Sequence, residues 1–376
     1  MKAKVILATI LVLAASCVKN EVREVSMHGD GQILYNPAPL RSMTTKAVQT
    51  IDFPTTSTFG SCAWYLPGGN KWDDHHAAAA TDPVAPTPYI PKTEISYNLV
   101  IPNDFNSGVW RNNDKSYYWP MNGSLTFISW APYNLDKSAG TETTLRVTRE
   151  NGFEITNWKM ENTPGYGIVP PTSEGGVSTT DPNVDILLSY TKDCTRRNTA
   201  NGKVPTIFSH LLCKVKVEAR LANDKVEQKI IESVTLTNIY TKGDYVAGEW
   251  TNQSEPMNYV YPQPGETSPS PTITMTDKAN TVIFPETMFL PQRLTRDDIT
   301  DRPKISIKLQ GNETPIERYL YNDKILNPLS VWNQGKSITY VITIGNETAY
   351  IDFTANVDGW SEYKDWINDG NVVPVQ

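Results

Sequence analysis

Apolar and polar residues alternate along most of this chain. KVKVEARL puts Val215, Val217, Ala219 and Leu221 on one face, SITYVITI does so with Ile338, Tyr340, Ile342 and Ile344, and AYIDFTANV with Ile351, Phe353, Ala355 and Val357. A period of two is the mark of half-buried antiparallel strands, because successive side chains point to opposite faces. AVQTIDF, FGSCAWYL, SVTLTNIY, NTVIF and KISIKL predict further strands. LRVTRENGFEIT reads as a hairpin, with Leu145 and Val147 on one arm, Phe153 and Ile155 on the other, and Asn151-Gly152 as the turn. Helical periodicity is scarce: DKVEQKIIES suits two turns and HHAAAA one or two. The proline-rich stretches 82–92 and 261–272 read as exposed excursions between strands. The polar stretch TKDCTRRNTANGK (191–203) has no apolar period and marks a boundary. Many short strands with regular turn signals make two β-sandwich domains, 46–195 and 200–376, the natural architecture.

The first residues follow a different pattern. Lys2 and Lys4 precede an apolar run, Val5 to Leu13, which is too short for the ~20 residues of a stable membrane-spanning helix. Ala14, Ala15 and Ser16 are small, as signal peptidases require, so residues 1–16 read as a signal peptide. Cys17 follows at once. LAASC resembles the lipobox of bacterial lipoproteins, which implies acylation (a palmitate-class anchor) on Cys17 and cleavage before it. An acyl chain contributes ~0.8 kcal/mol per buried methylene, so several chains hold a protein firmly on a membrane. An ordinary secretory cut near Ala15 is the simpler alternative. Residues 17–45 are polar and mixed and read as a tether or pro-segment.

Composition narrows the function. The net charge of -7, with no basic stripe, argues against nucleic acid as a partner. With Cys17 lipidated, Cys62, Cys194 and Cys213 remain, and three cannot all pair within one chain. One bridge between Cys194 and Cys213 or three buried thiols are the two options, the second being favoured. WDDHH offers Asp73, Asp74, His75 and His76, but adjacent side chains diverge, so a solvated loop is preferred to a metal site. His210 lies in the apolar TIFSHLLCKV with no acid near it in sequence, which suits a core histidine. Tyr117, Tyr118 and Trp119, with Trp64 and Trp72, offer rings for stacking on sugars, although rings at this density are more often core. No paired carboxylates, serine elbow or phosphate loop stands out. The expectation is no catalytic residue, no metal, no cofactor and no enzymatic activity: a structural or binding module.

Several stretches go further. SYYWPMNGSLTFISWAPYN (116–134), NVDILLSY (183–190) followed by VPTIFSHLLCKVKV (204–217), FPETMFLPQ (284–292), SVWNQGKSITYVITI (330–344) and VDGW (357–360) resemble, in order, elements of the Bacteroidales fimbrillin family, the type V pilus subunits. The resemblance runs from about residue 45 to 360. It implies two transthyretin-like antiparallel β-sandwich domains with Greek-key connections, export as a lipoprotein, and a place in a surface fimbrium at the outer membrane of a Gram-negative bacterium. It also implies an assembly step. A protease cutting after arginine removes an N-terminal strand, and the terminal strand of another subunit fills the groove. Arg41 in NPAPLRSMTTKA, or Arg23, is then the cleavage site, and ILYNP upstream of Arg41 is a candidate for the removed strand. Val372, Val373 and Val375 are donor candidates, although Pro374 interrupts the ladder and a short tail suits a tip or anchor subunit as well as a stalk subunit. The implied partners are other fimbrial subunits joined head to tail, the outer membrane before processing, and a host or bacterial surface receptor. The alternative is a cell-surface glycan-binding lipoprotein of a polysaccharide-uptake system.

Overall fold

The computed structural model describes residues 31–39, 53–98, 108–135, 143–160, 185–199, 202–223, 226–262, 272–321, 329–345 and 351–359. Strands dominate, as the alternation predicts. β1 (Leu34–Pro39), β2 (Phe59–Leu66), β3 (Thr87–Asn98), β4 (Val109–Arg111), β5 (Ser124–Ala131), β8 (Leu187–Cys194) and β9 (Lys203–His210) close into a barrel in the order β1-β4-β3-β2-β5-β8-β9. The intervening hairpin, β6 (Thr144–Thr148) and β7 (Gly152–Lys159), leaves the barrel and joins a second sheet. That sheet runs β16-β15-β11-β7-β6 around the long β11 (Lys229–Val246), with β15 at Lys304–Leu309 and β16 at Ile316–Tyr319. β12 (Glu249–Tyr261) and β13 (Ile273–Met275) also pair with β11. A third sheet has the order β14-β10-β17-β18, with β10 at Cys213–Leu221, β14 at Thr281–Phe289, β17 at Lys336–Ile344 and β18 at Ile351–Gly359.

Three apolar clusters fill the spaces these sheets create. Phe59, Ile95, Leu125, Phe127, Val204 and Phe208 fill the barrel. Val215, Val217, Ile338 and Tyr340 of the third sheet meet Ile231, Leu236, Ile305 and Ile307 of the second, a sandwich core built from the alternating positions. Between barrel and sandwich, Ile128, Trp130 and Leu188 of the barrel strands pack with Phe153, Ile155 and Trp158 of the β6–β7 hairpin. β5 is therefore buried on both faces, Leu125 and Phe127 facing one cluster and Ile128 and Trp130 the other.

Several sequence expectations change at this point. DKVEQKIIES is not helical where described: Ile230 pairs with Thr274 and Ile231 with both Ile273 and Leu309 in the sheet. Cross-strand pairing on both sides outweighs the weak helical period. The stretch 82–92 is not wholly an excursion, since β3 takes up residues from Thr87 onward. Pro88 and Pro91 fit there because β4 pairs with β3 only from Ser96 to Asn98, leaving the proline-bearing end with no described partner on that edge. In sheet topology, β9 completes the barrel and the β6–β7 hairpin belongs to the second sheet. Among the described residues pairing is antiparallel apart from two joins, β1 with β9 and β10 with β17, which link strands far apart in sequence and so free of any hairpin constraint on direction. On β18, Val357 is 44% exposed, although its alternation places it with the apolar set. AVQTIDF and the stretch 261–272 lie largely outside the described residues.

Candidate functional site: the strand that seals the barrel

β1 comes from the segment that reads as a tether. Its sequence, LYNPAP, favours extension, since Asn36 and Ala38 each precede a proline and are thereby steered from helical angles. Two contacts seat it. Ahead of the strand, Ile33 N–H donates to Tyr117 O at 2.8 Å and Trp119 N–H donates to Gly31 O at 2.8 Å. From Leu34 to Pro39 it then runs parallel to β9, opposite Lys203 through Phe208. On its other edge the described pairing with β4 is one position, Tyr35 opposite Trp110.

The energetic weight of this strand lies in its side chains. Ile33, Leu34 and Tyr35 are all buried. The Tyr35 ring meets Phe59 edge-on at 5.6 Å and Phe127 at 5.9 Å, in the middle of the barrel core. At about 1.5–3 kcal/mol per large apolar side chain, the three contribute roughly 5–9 kcal/mol. That matches the scale of a whole domain's net stability, about 5–15 kcal/mol. The backbone is less complete: proline has no N–H, and Pro37 and Pro39, two apart, remove donors from the same edge of the strand. β8 pairs with β9 only at Leu187–His210 and Leu188–Ser209, so residues 203–208 rely on β1 for the described part of their ladder. Taking β1 away would leave an open edge beside a row of empty apolar pockets, the arrangement an added strand fills.

The remaining candidates divide into two groups. Cys17, Arg23, Arg41, Val372, Val373 and Val375 lie outside the described residues. The others are structural. Cys62, Cys194 and Cys213 are free and buried, and burial pushes the Cys62 thiol up to about 12 and that of Cys194 to about 11. WDDHH forms α1 (Trp72–His75), in which Asp73 pairs with Lys192 at 2.6 Å and His76 Nδ1 lies 3.2 Å from Trp72 O. No metal-binding cluster occurs among the described residues. Trp64, Trp72 and Trp119 are buried, with Trp119 Nε1 donating to Gly202 O at 3.0 Å, so the proposed sugar platform is mostly core; Tyr118 is 54% exposed.

His210 requires a correction. An acid does stand beside it: Asp185 Oδ2 lies 2.5 Å from His210 Nδ1, with both side chains buried. The two residues are 25 positions apart and meet because β9 returns beside the start of β8, where Leu211 N–H donates to Ile186 O at 2.8 Å. The pair sits where the chain passes from the barrel to the third sheet. Trp250 Nε1 donates to Leu211 O at 2.7 Å and Gly335 N–H donates to Leu212 O at 2.8 Å across the same passage. No local sequence signal marks the partnership.

Fold and site together define an all-β structural protein whose barrel is sealed by its own N-terminal strand. The chain belongs to the fimbrillin-like family, which it matches over residues 75–360. That family consists of structural and adhesion proteins rather than enzymes. Among solved structures, a fimbrial protein from Bacteroides vulgatus is similar over 88% of this chain and 100% of its own, at 18% identity and a TM-score of 0.59, which shows a shared fold. The tip fimbrial protein Mfa3 from Porphyromonas gingivalis, crystallised with a C-terminal truncation, aligns over 88% of this chain and 99% of its own, at 8% identity and a TM-score of 0.38. No curated protein sequence matches the chain.

Proposed function

We propose that this chain is a fimbrial subunit of the bacterial cell surface, exported as a lipoprotein on Cys17 and activated for assembly by loss of β1. The observation that carries the reading is the position of that strand. β1 is the seventh strand of the barrel, and Arg41 follows its last residue by two positions. A cut after Arg41 severs the strand and its lipid tether from the body at one point, and a strand from another subunit takes its place. Head-to-tail donation of this kind does not close on itself, so it builds a filament.

The donor in this reading is the C-terminal tail of a neighbouring copy. Pro374 is no obstacle, because the resident strand carries prolines of its own and still runs beside β9 through six paired positions. Laid over LYNPAP, the tail NVVPVQ brings Pro374 onto Pro37, Val372 onto Tyr35, and Val373 and Val375 onto Asn36 and Ala38. The test is to treat the purified full-length chain with an arginine-specific protease and follow its size. The expected result is that cleaved wild-type protein forms head-to-tail multimers and Arg41→Ala stays monomeric with β1 attached. Equal multimer formation by Arg41→Ala would overturn the reading.

A further inference from the structure

A pocket of about 360 Å3 opens where the outer face of the barrel meets the second sheet. Four separate segments line it: Trp72 and Asp73 of α1 with His76 just after it, the hairpin tip from Arg149 to Gly152, Tyr190 and Lys192 on β8, and the β11–β12 turn beside Tyr245. None of these residues belongs to β1 or to the ladder that β1 completes, so the pocket persists whether the barrel holds its own strand or another. Its size lies in the ~300–1,000 Å3 range of small-molecule sites.

The lining has a particular chemistry. Tyr190 is 41% exposed, and its hydroxyl accepts from Phe153 N–H at 2.8 Å. The exposed part of the ring offers a flat apolar surface beside a hydroxyl that keeps its own O–H donor. Gly152 allows this closeness: it has a φ of +74°, and a Cβ there would come within 2.3 Å of the Tyr190 hydroxyl. Trp72 and His76 stack at 5.8 Å to form another wall. Around these rings stand the Asp73 carboxylate and the Lys192 ammonium, paired with each other at 2.6 Å, the Glu150 carboxylate, paired with Arg149 at 2.6 Å, and the Asn151 amide; the exposed Asp73–Lys192 pair retains oxygen lone pairs and N–H donors for a ligand. The charges balance, two cations (Arg149, Lys192) against two carboxylates (Asp73, Glu150). The Arg149 guanidinium is turned toward the protein, donating to Ala78 O at 2.8 Å and to Pro86 O at 3.3 Å. An anion such as a phosphate or a sialic acid finds no net positive field here. The molecule that fits has an apolar face for the tyrosine ring, hydroxyls that both donate and accept around its edge, and no net charge.

We infer that this pocket binds one neutral pyranose unit of a surface glycan, stacked on Tyr190 and held at its hydroxyls by Asp73, Lys192 and Asn151. The experiment applies the full-length chain to an array of neutral, sialylated and sulfated oligosaccharides, then measures affinity for the best neutral hit by calorimetry. Binding of a neutral glycan is expected, with Tyr190→Ala weakening it by roughly tenfold or more through loss of the stacking surface and Tyr190→Phe retaining it. Because Tyr190 also supports Phe153, Asp73→Ala on the exposed rim serves as a second variant, and it is expected to weaken binding with an unchanged melting temperature. The inference is overturned if no neutral glycan binds, if anionic glycans are preferred, or if both Tyr190→Ala and Asp73→Ala bind as the wild type does.

Discussion

Asp185 and His210 are buried with their polar atoms 2.5 Å apart, at the crossing from barrel to sandwich. Removing one member of such a pair leaves the other without that partner in a dry site, at a cost of about 1–3 kcal/mol. His210→Ala is therefore expected to lower unfolding free energy by that order in chemical denaturation, whereas a change at exposed Tyr118 moves it little. The three thiols are governed by the same burial. Thiolate is the reactive form, and burial raises each of the three thiols above its ordinary range, Cys213 included. A disulfide-exchange reagent at neutral pH should leave Cys62, Cys194 and Cys213 untouched in the native protein and titrate all three after denaturation. Rapid labelling of the native chain at any of them would contradict their placement in the core.

β1 seals the barrel. Its hold is mainly apolar, through Ile33, Leu34 and Tyr35, while its prolines thin out the hydrogen bonds. Tyr35→Ala empties the largest of its pockets. A drop of about 3–5 kcal/mol in stability is expected; a chain that begins at Ser42, with the groove open, is expected to gain stability from a free peptide with the sequence QILYNPAP. Failure of the peptide to restore any stability would mean that the groove does not accept a strand in trans. Strands of this kind differ in how plainly the sequence announces them. β10 and β17 are legible because one face of each is buried and the other is not, so Val215, Val217 and Ala219 alternate cleanly with polar residues. β12 is not legible: from Glu249 to Tyr261 its residues are mostly exposed or half-buried, and its place is set by pairing with β11. β3 is masked by its own prolines, and the β1 segment, part of a polar tether by its own residues, becomes a candidate strand only through the family resemblance. The meeting of Asp185 with His210 depends on how β9 returns beside β8, which no periodicity encodes.

The two bodies of the protein carry different tasks. The sandwich of the second and third sheets has a continuous core and needs nothing from the N-terminal segment, since β1 pairs only with barrel strands. The barrel by contrast is completed by a strand lying just before an arginine. In the proposed reading a subunit built this way would travel closed and assemble only after processing, because β1 fills the groove until it is cut away. The cluster between barrel and sandwich, with Trp130 and Trp158, packs the two bodies against each other. The most direct test is intact-mass and N-terminal analysis of the protein recovered from assembled material on its native cell surface. The account predicts a mature chain that begins at Ser42, with residues 17–41 and the lipid gone. A chain that begins at an acylated Cys17 within assembled filaments would contradict it, because β1 would still be in place and the groove closed.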